Sequence, residues 1–246
     1  MTPPVPDPDD AYDAVIIGAG ACGAEAAWRL AGQGRTVALV TTSLDTVYAA
    51  PAERARPGGP AGSLAEAVAA DVRPDADGTV SAWSLHTAAK YRLEGQTGVH
   101  LLQSNVEGLI TEGGRATGVR TWEGVPRRGR AVALCAGSFL RARLRVGEAE
   151  ERAGRPGEMA YDDLADDLAA RGVRMVAARQ VGGGAGPAWE VRFDRLGEDE
   201  RAGMHLVRIP GAFAAGVCAH GPLDVEAATH DGIALADAVH AWLEAT

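Results

Sequence analysis

The chain has 246 residues, 24 Lys and Arg against 33 Asp and Glu, a formal net charge of −9 and a hydrophobic fraction of 46 %. That composition excludes a disordered chain, suits one domain with a sizeable core, and offers no broad basic surface for nucleic acid. Five Trp, four Tyr and three Phe leave most of the core filling to Ala, Val and Leu.

Residues 1–10, rich in Pro and Asp, read as a flexible N-terminal tail. They lack the basic region and apolar stretch of a signal peptide, and no run approaches the roughly 18 apolar residues of a membrane span, so a cytoplasmic protein without a membrane partner is expected. Tyr12 to Ile17 then forms an apolar run suited to a buried parallel strand and leads into Gly18-Ala-Gly20-Ala-Cys-Gly23, followed by the helical stretch Ala24 to Ala31. In such a turn Gly18 lets the chain reverse, Gly20 leaves room for a pyrophosphate, and Gly23 lets the helix pack closely on the strand. Gly32 and Gly34 end the helix and Arg35 to Val40 supplies the next strand, which completes a nucleotide-binding β-α-β start. The competing reading is a glycine-rich packing turn in a nucleotide-free α/β domain.

Dinucleotide sites of this kind place an acid at the end of the second strand, where it accepts hydrogen bonds from a ribose. Here the strand exits as Val40-Thr41-Thr42-Ser43-Leu44-Asp45, without that acid. The hydroxyl of Thr41 or Thr42, or Asp45 if the loop bends back, would substitute for it or else cap the local backbone. The loop 41–62 is too long for a routine connection and is suited to covering a ligand. Ser63 and Glu66 have capping-box spacing, which predicts a short helix to about Ala70; a second helix over Ala82 to Leu93 carries Trp83, His86, Lys90 and Tyr91, its polar residues expected on a solvated face.

The middle of the chain changes period. Strands are expected at 99–102, 106–111, 116–122 and 130–134, with turns at 112–115 and 123–129, an inserted β-meander at about 104–130. This insertion departs from the regular alternation of a simple nicotinamide domain and points to FAD. The return strand runs into Cys135-Ala136-Gly137, where small residues permit a second close approach to the nucleotide. A helical period runs from Glu158 to Ala170; its four aspartates face different directions, and no metal site is expected. Strands at 173–177, 188–195 and 204–209, with a flexible Gly-rich connection at 182–187, suggest a reduced second layer at about 173–209. Ala212 to Gly216 is an apolar strand and glycine turn, and Leu223 to Gly232 leads into a final helix to Leu243. That helix would aim its N–H groups at a pyrophosphate or at the electron-rich edge of a reduced flavin, unless the turn is only a helix cap.

The elements together describe a single FAD-binding domain over 11–246, an α/β fold of Rossmann-like FAD/NAD(P)-binding type with a parallel central sheet and a small inserted β-meander. Tyr12 to Gly23 with Glu25-Ala-Ala27, Leu44-Asp-Thr46, Gly118-Val119, Cys135 to Leu140, Phe213 to Gly216 and Glu226-Ala-Ala228 with Gly232 make the chain resemble the flavin domain of the GidA/MnmG family of tRNA uridine-modifying proteins. A more distant likeness is to the folate-dependent tRNA methyltransferases TrmFO. The resemblance implies FAD held by Gly18, Gly20, Gly23, Thr41, Ala136, Gly137 and Gly216, with Val106 a backbone contact to adenine. It also implies two-electron flavin chemistry with NAD(P)H as electron donor and a link to tRNA wobble-uridine modification.

Family members carry a Cys-Asn-Pro-rich loop where this chain has Tyr48 to Arg54, and they are longer, with a helical C-terminal region that helps hold tRNA. Direct tRNA binding is therefore not expected, and a protein partner would supply the substrate-binding surface. The alternative is a noncatalytic FAD-binding module or partner subunit; a plain NAD-binding dehydrogenase is disfavoured by the C-terminal glycine turn.

No catalytic residue is assigned. Cys22, Cys135 and Cys218 lie in or beside the turns, without the spacing of a disulfide framework or redox pair, and read mainly as small core fillers. His220 is a candidate for proton exchange or flavin contact, His230 a weaker one, and Glu226 is expected to cap the last helix or orient its turn.

Overall fold

The computed structural model describes residues 11–49, 52–183 and 187–246. The expected tail at 1–10 and part of the Gly-rich connection lie outside the described residues. β1 (Tyr12–Ile17), α1 (Ala21–Gly32) and β2 (Val37–Thr41) form the strand, helix and strand anticipated around the glycine turn. β1 buries both of its faces: Ala14 and Ile16 pack on the α1 side, Val15 and Ile17 on the other. Burial on both sides is why the strand reads as a continuous apolar run.

A two-residue ladder of β3 (Arg54–Ala55) and β4 (Val80–Ser81) flanks α2 (Leu64–Asp71), and α3 (Ala82–Gly95) returns the chain to β5 (Val99–Gln103). Ser63 Oγ accepts the Glu66 N–H at 3.0 Å, as its spacing predicts, while the Glu66 carboxylate takes the Gly62 N–H at 2.7 Å. On α3, Trp83 and Tyr91 are exposed, but His86 is not on a solvated face. It is buried with Nδ1 2.6 Å from the Val47 carbonyl oxygen, because the loop after β2 folds against this helix.

The meander is β6 (Val106–Glu112), β7 (Arg115–Thr121) and β8 (Pro126–Leu134). β8 begins at Pro126, so the turn expected at 123–129 is shorter than its polar sequence suggested. The early part of β8 pairs antiparallel with β7, and the later part pairs parallel with β1.

After β8 come β9 (Arg143–Val146), β10 (Ala149–Glu151), β11 (Ala153–Arg155), β12 (Glu158–Met159), α4 (Asp162–Ala170), β13 (Met175–Gly182) and β14 (Trp189–Leu196). The helix expected from Glu158 starts only at Asp162. The reason is that the Tyr161 N–H donates to the Phe139 carbonyl at 2.8 Å, which keeps the preceding chain extended in the β11–β12 hairpin. The second sheet, in the order β10-β9-β14-β13, is antiparallel and draws on 143–151, where no strand was expected. Of the stretch 204–209 only two residues are strand: β15 (Arg201–Ala202) and β16 (His205–Leu206) instead extend the main sheet beyond β17 (Ala212–Ala214).

The main sheet carries five parallel strands in the order β17-β8-β1-β2-β5. After the single-turn α5 (Val217–His220), α6 (Val225–Ala245) packs on α1. Contact there is backbone to backbone, since a Cβ on Gly232 would lie 2.4 Å from the Cys22 carbonyl oxygen. One core lies under α1, α2, α3 and α6, and a second lies on the opposite face under the meander and α4. The result is an α/β fold with a largely parallel central sheet and smaller antiparallel insertions. Among the described residues no helix is long and apolar enough to cross a membrane.

Candidate functional site

The carboxyl ends of the parallel strands open onto one cleft, the edge where α/β sheets take their ligands. Three hydrogen bonds bring those ends together: Gly18 N–H to Val40 O at 2.7 Å, Cys135 N–H to Ile17 O at 2.8 Å, and Ala215 N–H to Leu134 O at 3.0 Å. The cleft holds about 880 Å³ of free space, counting its open mouth. Of the residues singled out in the sequence, Gly18, Gly20, Thr41, Ala136, Gly137 and Gly216 line it, whereas Gly23 and Val106 do not.

Each glycine of the first turn has its own physical reason. Gly18 has φ +101°, and a Cβ there would lie 2.2 Å from the Cys135 carbonyl oxygen. Gly23 is a packing position behind the cleft, where a Cβ would meet the Gly18 carbonyl oxygen at 2.0 Å. Gly20 is different, since a Cβ there would have nothing within 4 Å. It is the N-cap of α1, without a side-chain cap and with no acid in the first helical turn. The unpaired N–H groups and the helix field at this point suit an anion, and the space beside Gly20 is where the anion would sit. Val106 starts β6 fully buried in the second core, so its side chain is away from the cleft. Gly216, with φ +74°, brings the C-terminal turn against the first one, 3.1 Å separating a Cβ there from that of Cys22. The Gly216 N–H donates to the Asp231 carboxylate.

The far wall is built from the loop after β2 and the β11–β12 hairpin. Thr41 Oγ1 donates to its own loop, to Ser43 O at 3.3 Å, and Thr42 Oγ1 donates to Glu158 Oε2 at 2.7 Å. Glu158 is 7 % exposed and lines the cleft, and its Oε1 has no hydrogen-bond partner. Arg155, also in the lining, donates to the carbonyl oxygens of Thr46 at 3.3 Å and Ala49 at 3.1 Å. Burial holds its pKa below the usual arginine value, with the Glu158 charge opposing that shift. Asp45 is exposed and outside the lining, so the loop does not bring it back to the cleft. Instead the Tyr48 N–H donates to Ala19 O at 2.8 Å, folding the loop over the first glycine turn. Glu158 was missed because a helical period was read through it. The turn signal Pro156-Gly157 immediately before it marks the hairpin.

Cys22 and Cys135 line the cleft with their sulfurs 3.8 Å apart, and Cys218 is buried outside it. The hydrogen bond with Cys135, and burial, push the Cys22 thiol well up, and burial raises Cys218 to about 12. Neither Cys22 nor Cys218 has the depressed pKa of a nucleophile. His220 lies outside the lining, its ring 3.3 Å from Asp231, and His230 is exposed on α6. Glu226 is exposed and does not cap α6. Asp224 does, accepting the Ala227 N–H at 2.7 Å, because it stands at the extended residue before the helix. Glu25, completely buried on α1, reaches across to accept the N–H groups of Leu64 at 2.9 Å and Ala65 at 3.3 Å and so caps α2. Burial raises its pKa to about 7. Three of the four aspartates of α4 are engaged separately, Asp162 with Arg143 and Arg152, Asp166 with Arg141, Asp167 with Arg171; the fourth, Asp163, lies in the first helical turn. Among the described residues no three metal-ligating side chains gather at one point.

Comparison with known proteins agrees with this fold. The family model described as Glucose inhibited division protein A matches residues 13–72 and 78–185. The crystal structure of the GidA-related protein from Thermus thermophilus superposes with a TM-score of 0.84 at 38 % identity, over 94 % of this chain and 99 % of that one. Aquifex aeolicus GidA shares the fold with a TM-score of 0.78 at 15 % identity, over 96 % of this chain and 64 % of that one. The tRNA uridine 5-carboxymethylaminomethyl modification enzyme MnmG of Flavobacterium johnsoniae is 31 % identical over 187 residues, 65 % of this chain and 30 % of the relative. The chain thus spans about 30 % of the length of the curated relatives it matches. It belongs to the GidA family.

Proposed function

We propose that this member of the GidA family binds FAD in the cleft and acts as a flavin-dependent oxidoreductase core linked to tRNA wobble-uridine modification. The observation that carries the reading is the open space at Gly20, bounded by uncapped N–H groups of α1 and faced by the second glycine turn at Gly216. These features fit a dinucleotide. The first-turn N–H groups of α1 would bind the pyrophosphate, Thr41 would stand at the adenosine side, and Ala136 and Gly137 would let the nucleotide lie against the backbone. Gly216, Val225 and Ala228 line the side toward α6, where the N-terminal helix field favours added negative charge. Bound FAD would supply reversible two-electron chemistry, with NAD(P)H as the donor.

The relatives' name supplies the tRNA uridine connection, and a protein partner would bring the substrate-binding surface. A second reading, a noncatalytic flavin module, is favoured by the lining itself. It contains no His, and of its two thiols Cys22 is pushed well up.

The test is the absorption spectrum of freshly purified protein and identification of what it releases. Flavin bands and released FAD are expected; a colourless protein that cannot be reconstituted with FAD would overturn the reading. Reduction by NADH followed by reoxidation separates the enzyme from the module.

A further inference from the structure

The end of β2 carries hydroxyls where a dinucleotide fold ordinarily has its ribose-binding acid, yet the cleft is not without one. Glu158 reaches the same place from the β11–β12 hairpin, 116 residues further along the chain, and Thr42 Oγ1 fixes one of its oxygens at 2.7 Å. The other oxygen is buried in the cleft wall without a donor. A carboxylate oxygen offers only acceptor sites, and leaving one buried and unpaired is costly. Such an atom in a ligand cleft calls for a donor on the ligand. Neighbouring Arg155 is not that donor; its Nη1 and Nη2 donate to the Thr46 and Ala49 carbonyls instead. Resting on the FAD reading above, we infer that the free Glu158 oxygen accepts a hydroxyl of the adenosine ribose and stands in for the acid that β2 lacks. The side of the cleft decides between ribose and flavin. Thr42 directly follows β2, and in a β-α-β dinucleotide site the end of the second strand faces the adenosine ribose.

The experiment uses the full chain, stripped of flavin, and follows flavin fluorescence on titration. The probes are FAD, two FAD analogues lacking the 2′- or the 3′-hydroxyl of the adenosine ribose, and flavin hypoxanthine dinucleotide, which lacks the adenine amino group. The wild-type chain should bind at least one deoxy analogue about tenfold or more weakly than FAD, the magnitude of a hydrogen bond to a charged group. Glu158→Gln should weaken FAD roughly 10- to 100-fold and lose that discrimination. Ligand-free E158Q should keep or exceed the wild-type Tm, since the substitution removes a buried carboxylate one of whose oxygens has no donor.

Undiminished discrimination in E158Q would overturn the inference. So would a wild-type chain indifferent to both ribose hydroxyls but sensitive to the adenine amino group, or an E158Q chain whose only change is a lower ligand-free Tm. A wild-type chain that binds no FAD fails the cofactor reading and takes the inference with it. FAD binding with unchanged discrimination fails the inference alone.

Discussion

Glu25→Gln tests how α1 is tied to α2. The carboxylate is completely buried, accepts two backbone N–H groups, and has its pKa raised from 4.5 to about 7 by burial. The folded chain therefore holds this proton to higher pH than the unfolded chain. Between pH 4.5 and about 7 the folded state binds more protons, so stability falls as pH rises across that window and is level above it. A shift from 4.5 to about 7 at 1.36 kcal/mol for each pH unit corresponds to roughly 3 kcal/mol. Glutamine is neutral in both states and cannot show this dependence. It also loses one of the two acceptors, an offset of about 1–3 kcal/mol that is the same at every pH and cancels from the comparison. Urea unfolding of both proteins in steps from about pH 4.5 to about pH 8 should show E25Q gaining roughly 3 kcal/mol on the wild type across the range. Parallel stability curves would refute a neutral Glu25 and the burial argument with it.

Two substitutions in the first glycine turn separate folding from binding. Gly18→Ala forces a side chain into the left-handed region against the Cys135 carbonyl and should cost at least ~2 kcal/mol in denaturant unfolding, with or without FAD. Gly20→Val meets open space, so ligand-free stability should change by only about 1 kcal/mol while FAD affinity falls at least tenfold; unchanged affinity in a folded G20V chain would refute the placement of the pyrophosphate. All three cysteines are buried and free, and no fast-reacting thiol should be seen with a disulfide reagent in the native protein, against three after unfolding. A rapid native thiol would mean that Cys22 or Cys135 is more open, and more reactive, than its surroundings imply.

What could be read from the sequence was local. The β1–α1–β2 unit is legible because apolar residues and glycines follow one another at spacings that both the backbone and a phosphate require. The capping of α2 by Ser63 is legible for the same reason, its partner being three residues away. His86 was misplaced because its partner, the Val47 carbonyl, belongs to a loop whose path depends on tertiary packing. β9 was overlooked although Arg143-Leu-Arg-Val146 alternates as a half-buried strand should; its apolar residues are few, and its partner β14 comes some forty residues later.

Glu158 marks the limit of local reading most sharply, and also what the β11–β12 hairpin contributes to the cleft. A Cβ on Gly154 would lie 2.4 Å from the Phe139 ring, so its absence lets the hairpin lie flat on the segment that follows β8. Arg155 then ties the same hairpin to the loop after β2, and two residues of turn bring Glu158 to Thr42. Each of these contacts joins the return strand, the loop or β2 to the hairpin that enters α4. This wall of the cleft therefore exists only when the hairpin is in place. An acid on β2 would have been positioned by the β-α-β unit alone. An acid on the hairpin is placed only by the packing of the hairpin on the loop and β2, so a ligand held by Glu158 would stabilise that joint.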